Sequence, residues 1–306
     1  MSAYLSICAI FKDEAPYLPE WIEFHRLVGV ERFFLYDNDS SDGSRDVLEP
    51  WVRAGVVSVT GCSMPFREGG QGWAYADALR RAYGRTRWLA FIDLDEFLFS
   101  PTPTPLPDLL GEYEQHPGIV VNWQVYGSGG HSAQAVAPSH TATSDDLVIE
   151  RFVTRARTHW VRNRRVKSIV NPERAVRPIG PHFFAYQDGA LAVTEHYEPV
   201  RVIEPRAWTL RIRRGLAQLP LIETDPYAVR HSSVKRVSVG RVRLNHYAVR
   251  SRQEFEQKTR RHDTSRLAPY YFAYHDRNDV HDPTLVPYAS EIRARLTTLQ
   301  DDDGTR

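Results

Sequence analysis

Residues 88–99 read WLAFIDLDEFLF, an apolar run that contains three carboxylates, Asp93, Asp95 and Glu96. A run of large apolar residues of this kind is typical of a buried strand. Acidic residues at the end of a strand lie at the carboxyl edge of its sheet, and open α/β sheets bind their ligands in the crevice outside that edge. This stretch therefore predicts both a central strand and the place where a ligand binds.

Before this stretch, short apolar runs alternate with amphipathic segments. We predict strands over 4–11, 32–37 and 56–62, and helices over 16–29, 45–55 and 72–86. Strands that are separated by helical segments indicate right-handed βαβ crossovers. The predicted fold class is α/β, with a mainly parallel, Rossmann-like sheet that carries helices on both faces.

After Pro101 the pattern changes. A Pro-rich connection leads into a short helix, and residues 118–127 (GIVVNWQVYG) predict another strand. Residues 128–146 are small and polar and predict a long loop, and loops of this length are usually lids or binding loops. Residues 150–250 are basic and rich in predicted strands, and residues 251–275 predict a helix. No internal repeat and no linker are evident, so we expect one continuous domain.

The composition excludes several classes of protein. Lys and Arg number 39 and Asp and Glu number 38 in the 306 residues, whereas a dedicated nucleic-acid binder usually carries a large basic surplus. Two cysteines, Cys8 and Cys62, are too few for a disulfide framework or a cysteine-based metal cluster. Because no apolar run reaches the ~18 residues of a membrane span and no basic leader is present, we expect a cytoplasmic protein.

Three predicted strands end in short polar segments, at 12–14 (KDE), 37–39 (DND) and 93–95 (DLD). Parallel strands bring these segments to one edge, where carboxylate oxygens suit Mg²⁺ or Mn²⁺, and such a cation neutralises a nucleotide diphosphate. Each segment also has a simpler explanation. Residues 12–14 could cap a helix, residues 37–39 could form a turn, and residues 93–95 could be a solvent-exposed strand end.

These segments also carry a family resemblance. The opening strand with IFKDE, the turn YDNDSSDG and the segment DLDEF resemble the nucleotide-sugar half of a GT-A glycosyltransferase. Four later segments resemble glycosyltransferase family 92: NWQVYGSGGH (122–131), RVKSIVNPERA (165–175), PHFF (181–184) and RLNHYAVRSRQEFEQKTRR (243–261). The matches follow one another in order over residues 4–262.

The resemblance implies a GT-A fold, a nucleotide-sugar donor with UDP as the expected nucleotide, and a divalent cation, Mn²⁺ or Mg²⁺. It also implies inverting transfer, often of galactose, to a saccharide or glycoconjugate hydroxyl. The expected single domain, 1–306, then divides into a nucleotide-sugar-binding half (1–100), an acceptor half with a C-terminal elaboration (101–275) and a tail (276–306). Neither a nucleic-acid partner nor a transmembrane segment is expected, and peripheral association with a membrane is left open.

Transferred to this chain, the resemblance makes Asp93 and Asp95 the metal ligands. A histidine from the C-terminal part completes the site, with His246 as first choice and His182 as its rival. The residues expected at the nucleotide sugar are Lys12, Glu14, Asp39, Gln71, Asp77, Asp93 and Lys167, with Tyr75 as an alternative within the 71–77 segment. Asp39 is expected at the base. Lys167 is expected at the diphosphate, because a compact ammonium suits phosphate, unless it is simply a solvated cation.

Acceptor binding is predicted at Trp123 and His131. An aromatic face stacks on the C–H side of a sugar, and the glycines of the 127–130 run permit close backbone approach. Inversion needs a group that deprotonates the acceptor hydroxyl. Glu150 is the first candidate for this general base, followed by Asp146 and Asp145. The structural alternative is that Glu150 pairs with a nearby arginine, and Glu96 is left open as a structural carboxylate.

Two other classes of function stay open. A non-catalytic carbohydrate-binding protein could keep the same α/β frame. A nucleotidyltransferase would share the frame and the metal-binding carboxylates. Such enzymes typically open with a Gly-rich phosphate loop, and residues 8–20 contain no glycine, which argues against this alternative.

Overall fold

The computed structural model describes residues 2–133, 147–202, 228–229, 233–261 and 268–304. Its N-terminal part alternates strands and helices, as predicted. The elements are β1 (Ala3–Phe11), α1 (Leu18–Leu27), β2 (Arg32–Asp37), α2 (Ser44–Arg53), β3 (Val57–Gly61), α3 (Gly70–Ala82) and β4 (Thr86–Phe91).

The later part is richer in short strands. Its first elements are β5 (Glu96–Phe99), α4 (Leu106–Gly111), β6 (Gly118–Val125), α5 (Val148–Arg151), β7 (Thr154–Arg155), β8 (Val166–Val170), β9 (Ala175–Ile179) and β10 (Phe183–Tyr186). They are followed by β11 (Ala192–Val193), β12 (Pro199–Val202), β13 (Ala228–Val229), β14 (Arg243–His246), α6 (Arg252–Arg261), α7 (Ala268–His275), β15 (Val280–His281) and α8 (Ala289–Gly304). The helix predicted over 251–275 is therefore two helices. None of the described helices is long and apolar enough to cross a membrane.

One large sheet organises the molecule. Strands β3, β2, β1 and β4 lie side by side in that order and run parallel. β8 runs antiparallel between β4 and β6. β6 also pairs in parallel with β11 and with β14, and β14 pairs antiparallel with β5. The sheet is mainly parallel in its N-terminal half, as predicted, and it continues without interruption into strands that follow residue 100.

Helices cover both faces of this sheet. Alternate residues of β1 point in opposite directions, because side chains alternate along a strand. Leu5 and Ile7 pack in the same core as α1, α2 and α8, whereas Cys8 and Ile10 pack in the core that holds α3. The sequence pattern therefore predicted the class and the layering correctly.

The predicted strand over 88–99 is wrong in one respect, because it is two strands. β4 ends at Phe91 and β5 begins at Glu96, and residues 92–95 form a turn between them, here called the acidic turn. The Asp93 amide donates to Glu96 Oε2 at 2.8 Å, and the Glu96 amide donates to the Asp93 carbonyl at 3.0 Å. These two bonds close the turn, so β5 leaves β4 and pairs with β14 instead.

Helix α1 holds β5 in place. Trp21 Nε1 donates to the Glu96 carbonyl at 2.8 Å, and the Leu98 amide donates to His25 Nε2 at 3.1 Å. Because Nε2 accepts, the ring proton lies on Nδ1, which donates to the Trp21 carbonyl at 2.7 Å. Burial lowers the pKa of His25 to about 3. The imidazole is therefore neutral, and it fixes the strand that follows the acidic turn.

Candidate functional site

A cleft of about 770 Å³ lies at the carboxyl edge of the parallel strands. Lys12 and Glu14 follow β1, Asn38 follows β2, and the acidic turn follows β4. The other wall comes from the start of β8, from the ends of β6 and β14, and from α6 and α7. The cleft thus occupies the position where an open α/β sheet binds its ligand.

Many of the residues singled out in the sequence line this cleft together. They are Lys12, Glu14, Gln71, Asp93, Asp95, Trp123, Lys167, His182 and His246. Asp39, Asp77, His131 and Glu150 are not part of its lining, and Asp145 and Asp146 lie outside the described residues. The fold therefore brings most of the predicted donor and metal residues to one place, and the roles themselves stay predictions.

Backbone geometry explains why Asp39 and Asp77 lie elsewhere. Asp39 has a positive φ of 56°, is exposed and accepts a hydrogen bond from Ser63, so its neighbour Asn38 faces the cleft. On α3, Gln71 Nε2 reaches both Tyr75 Oη at 3.0 Å and Asp93 Oδ1 at 3.2 Å. Asp77 comes six residues after Gln71, about 240° further around the helix, and pairs there with arginines of α3.

Glu150 lies on α5, where both of its carboxylate oxygens pair with the Arg293 guanidinium of α8. An ion pair was the structural alternative for Glu150, and the partner is an arginine distant in sequence. His131 Nε2 lies 3.1 Å from the Arg151 carbonyl, and its ring packs edge-on against Phe152. The general-base role of Glu150 stays a prediction that must be tested against this ion pair.

Asp93 is held by a buried lysine. Lys167 Nζ lies 2.8 Å from Asp93 Oδ2 and 3.6 Å from Glu96 Oε2, and the lysine is 1% exposed. Burial alone would lower the pKa of Lys167, but Asp93 and Glu96 raise it well above its usual range. Burial raises the pKa of Glu96, and the charge of Asp93 adds to that rise while Lys167 opposes it. Lys167 is therefore a fixed positive charge under the acidic turn.

Asp95 has a different set of partners. Its Oδ2 pairs with Lys258 Nζ of α6 and lies 3.4 Å from His246 Nε2. Burial alone would raise the pKa of Asp95, but Lys258 and His246 hold it well below its usual range. His246 Nδ1 is buried without a hydrogen-bond partner among the described residues. Asp95 is therefore ionised and carries a cationic group on the side that faces the cleft.

The donor types at the acidic turn fit a divalent cation in part. Carboxylate oxygens and an imidazole nitrogen are suitable ligands for Mn²⁺. Asp95 and His246 face each other, and Asp93 is 34% exposed toward the cleft. However, no group of three or more His, Cys, Asp or Glu side chains in the described part of the chain converges as a ready metal site. A cation at Asp95 would have to displace the Lys258 ammonium.

Sequence analysis missed Lys258, although the composition offered a clue. The chain contains only four lysines among its 39 basic residues, and three of them, Lys12, Lys167 and Lys258, line this cleft. A second clue is the Ser251-x-x-Glu254 sequence, which is a capping box. Ser251 Oγ accepts from the Glu254 amide at 3.3 Å, and Glu254 Oε2 accepts from the Ser251 amide at 3.0 Å. This cap fixes the start of α6, the helix that carries Lys258.

Trp123 and Gly127 pack against the chain's own residues, and their acceptor role stays a prediction. Trp123 is 5% exposed, with the Arg165 guanidinium 5.5 Å from its ring centroid and the His246 ring 4.2 Å away. A Cβ at Gly127 would lie 2.4 Å from Asn278 Oδ1. Gly127 therefore permits close packing of the chain's own 277–278 segment rather than the approach of a ligand.

Fold and cleft together define the class of the protein. A mainly parallel α/β sheet with a carboxylate- and lysine-lined cleft at its carboxyl edge is the arrangement expected of a GT-A glycosyltransferase. The sequence profile of glycosyltransferase family 92 matches residues 3–198. The chain belongs to glycosyltransferase family 92.

Individual relatives support the same assignment. A glycosyltransferase family 92 protein of Oryza sativa subsp. japonica is 36% identical over 115 residues, which cover 38% of this chain and 19% of the relative. The galactan β-1,4-galactosyltransferase GALS1 of Arabidopsis thaliana is 31% identical over 101 residues, covering 31% of this chain and 20% of that protein. The matched part is thus about a fifth of the length of either relative.

Among solved structures, S. aureus TarS 1–349 is similar to this chain with a TM-score of 0.34 and 15% sequence identity. The match covers 55% of this chain and 47% of TarS.

Proposed function

We propose that the protein is a glycosyltransferase that transfers a sugar from a UDP-sugar donor to a hydroxyl group of a saccharide. The observation that carries the proposal is the acidic turn, whose carboxylates meet two lysines inside a cleft at the carboxyl edge of the sheet. Family 92 membership supports the reaction class. The similarity to a galactan galactosyltransferase supports galactose as the sugar.

In this proposal the nucleoside lies over the ends of β1 and β2, beside Lys12, Asn38 and Gln71. Lys167 and Lys258 offer compact positive charges to the diphosphate. Asp95 and His246 would hold a divalent cation, with Asp93 as a further ligand. When bound, such a cation stabilises the charge that develops on the departing diphosphate. Inversion then requires a general base on the acceptor side, for which Glu150 and Asp146 stay the candidates.

A thermal-shift experiment tests the proposal. UDP with Mn²⁺ is expected to raise the Tm by several degrees, since a ligand at 100 times its Kd stabilises the folded state by about 2.7 kcal/mol. ADP with Mn²⁺ serves as the matched nucleotide control and is expected to shift the Tm less. Asp95→Asn keeps the shape of the side chain and is expected to remove the additional shift that Mn²⁺ gives with UDP.

Two results would count against the proposal. No Tm shift with UDP, with or without Mn²⁺, would favour a non-catalytic carbohydrate-binding protein on the same frame. An equal shift with ADP, together with nucleotide transfer instead of sugar transfer, would favour a nucleotidyltransferase. Hydrolysis of UDP-galactose, or transfer of its galactose to an acceptor, is the positive result for activity, and the released UDP measures it.

A further inference from the structure

Residues 151–167 (RFVTRARTHWVRNRRVK) contain seven basic residues and no acidic one. The proposed reaction gives only Lys167 a role. The segment leads from α5 to β8 and therefore enters the cleft wall at its end. The other six basic residues differ in whether a carboxylate pairs with them.

Two of these arginines, and Lys167, have carboxylate partners. Arg151 pairs with Glu254 at 3.5 Å, and Arg155 pairs with Asp282. Arg157 and Arg164 are exposed, so water can solvate their charges. The half-buried Arg162 and Arg165 are different, because no carboxylate pairs with either of them within the described ranges.

Arg162 and Arg165 pack against aromatic rings instead. Arg165 lies 5.5 Å from the Trp123 centroid, and Arg162 lies 5.0 Å from the Tyr274 centroid. Arg162 Nε is buried and makes no hydrogen bond to any described residue. Burial and the nearby charge of Arg162 lower the pKa of Arg165. Two like charges held together without a counter-ion are unfavourable unless an anion joins them.

The pair lies away from the proposed nucleoside. Lys12 and Asn38 follow β1 and β2, whereas Arg165 immediately precedes β8, which β4 separates from β1. Trp123, which Arg165 covers, belongs to β6, one strand further away. Tyr271 of α7, which is 41% exposed, completes this end of the cleft. This end is therefore open to a molecule other than the donor nucleotide.

We propose that Arg165, which lines the cleft and has the charge of Arg162 beside it, forms an anion subsite that selects an acceptor saccharide bearing a carboxylate or a phosphate group. A guanidinium binds such planar or tetrahedral oxyanions through paired N–H donors, and the ring of Tyr271, which is 41% exposed, offers apolar surface to the sugar. The proposal rests on the proposed glycosyltransferase function, because it names the class of acceptor.

A glycan array provides the test. The protein, saturated with UDP and Mn²⁺, is applied to matched oligosaccharides whose terminal sugar carries a hydroxyl, a carboxylate or a phosphate at the same position. Anionic members are expected to bind about 10- to 100-fold more tightly than their neutral counterparts, the range for hydrogen bonds to a charged group. The carboxylate and phosphate arms show which oxyanion is preferred.

Three variants make the test specific. Arg165→Met is expected to abolish the preference for anionic members, and Arg165→Lys to retain part of it, since the charge remains but the paired donors are lost. Arg164→Met removes the same charge from the exposed neighbouring position and is expected to leave the preference unchanged. The Kd for UDP, measured in parallel, is expected to stay within twofold in all three variants.

Several outcomes would overturn the proposal. They are equal binding of neutral and anionic glycans, absence of any anionic glycan among those bound, and an equal loss in Arg164→Met, which would indicate diffuse charge attraction. A drop in UDP affinity in Arg165→Met would assign the arginine to the donor diphosphate instead. Failure of the wild-type protein to bind UDP would count against the proposed function alone, and the same array, applied without UDP and Mn²⁺, would then decide whether Arg165 selects anionic glycans.

Discussion

At the scale of single residues, the cleft is characterised by its ion pairs. Asp93 and Asp95 lie two positions apart, yet each has its own lysine, one from β8 and one from α6. Lys167 is buried and fixed between two carboxylates, whereas the Lys258 side chain is 33% exposed at the cleft surface. Lys258 can therefore swing from its carboxylate into solvent, whereas Lys167 cannot leave the interior.

This difference predicts the behaviour of Lys258→Met. A divalent cation must displace the ammonium from Asp95, so removing it is expected to tighten Mn²⁺ binding in the absence of nucleotide. At the effective dielectric constant of a protein surface, nearby charges interact by several kcal/mol, and we expect a Kd that is lower by roughly tenfold. Free Mn²⁺ measured by electron paramagnetic resonance gives this Kd directly. Lys235→Met, which does not alter the cleft lining, is the charge-matched control. Unchanged or weaker Mn²⁺ binding in Lys258→Met would place the cation elsewhere.

Glu150 offers a second prediction at this scale. If it accepts the acceptor proton, Glu150→Gln is expected to lower kcat by about 10²–10⁴-fold with donor affinity nearly constant. Arg293→Met breaks the same ion pair but leaves the carboxylate, so it is expected to retain most of the activity. The two side chains are 25% and 28% exposed, and ion pairs that water reaches contribute only about 0–1 kcal/mol. Equal, small losses in both variants would assign Glu150 a structural role, and loss of activity in Asp146→Asn would assign the general base to Asp146.

The location of a residue could be predicted from sequence where its direction follows from its element, and the roles of these residues stay predictions. Gln71 and Tyr75 share a helix face because they are four residues apart, and Asp93 and Asp95 follow a strand that ends at the cleft. Prediction failed for Lys258, whose partner Asp95 lies 163 positions away in the chain. A local sequence pattern does not predict a contact between residues so far apart, although the small number of lysines in this chain was a clue to Lys258.

At the scale of elements, the acidic turn depends on helix α1. Trp21 and His25 fix the backbone of β5, and His25 does so only as a neutral ring, since Nε2 must accept from the Leu98 amide. The predicted continuous strand over 88–99 missed this turn. Apolar residues occur on both sides of it, and the two hydrogen bonds between Asp93 and Glu96 that close it have no signature in hydrophobic periodicity.

His25 predicts a pH dependence of stability. Its pKa is about 3 in the folded protein and near 6.5 when unfolded, so between these values the unfolded chain binds the additional proton. The contribution of His25 to the free energy of unfolding should therefore be fully present above about pH 6.5. It should decline as the pH falls toward 3, by up to ~1.4 kcal/mol per pH unit. His25→Gln can keep both hydrogen bonds but cannot titrate.

Urea unfolding at pH 4, 5, 6 and 7 measures the effect. The free energy of unfolding of His25→Gln is expected to change less steeply with pH than that of the wild type. Some slope should persist, because burial also lowers the pKa of His182, to about 3, and that of His275, to about 4. His281→Gln, at an exposed position, should match the wild-type slope. Identical slopes for His25→Gln and the wild type would contradict a neutral buried imidazole.

At the scale of the whole molecule, the sequence predicted the N-terminal layers better than the sheet's completion. The strands and helices up to β4 follow one another along the chain, so periodicity and crossover handedness suffice to order them. The second part of the sheet is assembled from strands that are distant in sequence. β8 enters between β4 and β6, and β14 enters between β5 and β6. Such pairings depend on tertiary packing, which local pattern does not encode.

The position of β14 also sets the order in which the molecule can mature. Glu96, at the end of the acidic turn, is paired with His246, so a ribosome must add 150 further residues before this partner exists. At about 5–20 residues per second, that is a delay on the order of ten seconds. The nascent chain can complete its first βαβ crossovers during this time, while the edges of β5 and β6 that later pair with β14 remain unpaired. The cleft is therefore among the last parts to form during synthesis, and, under the proposed function, an incomplete polypeptide would not yet bind a nucleotide sugar.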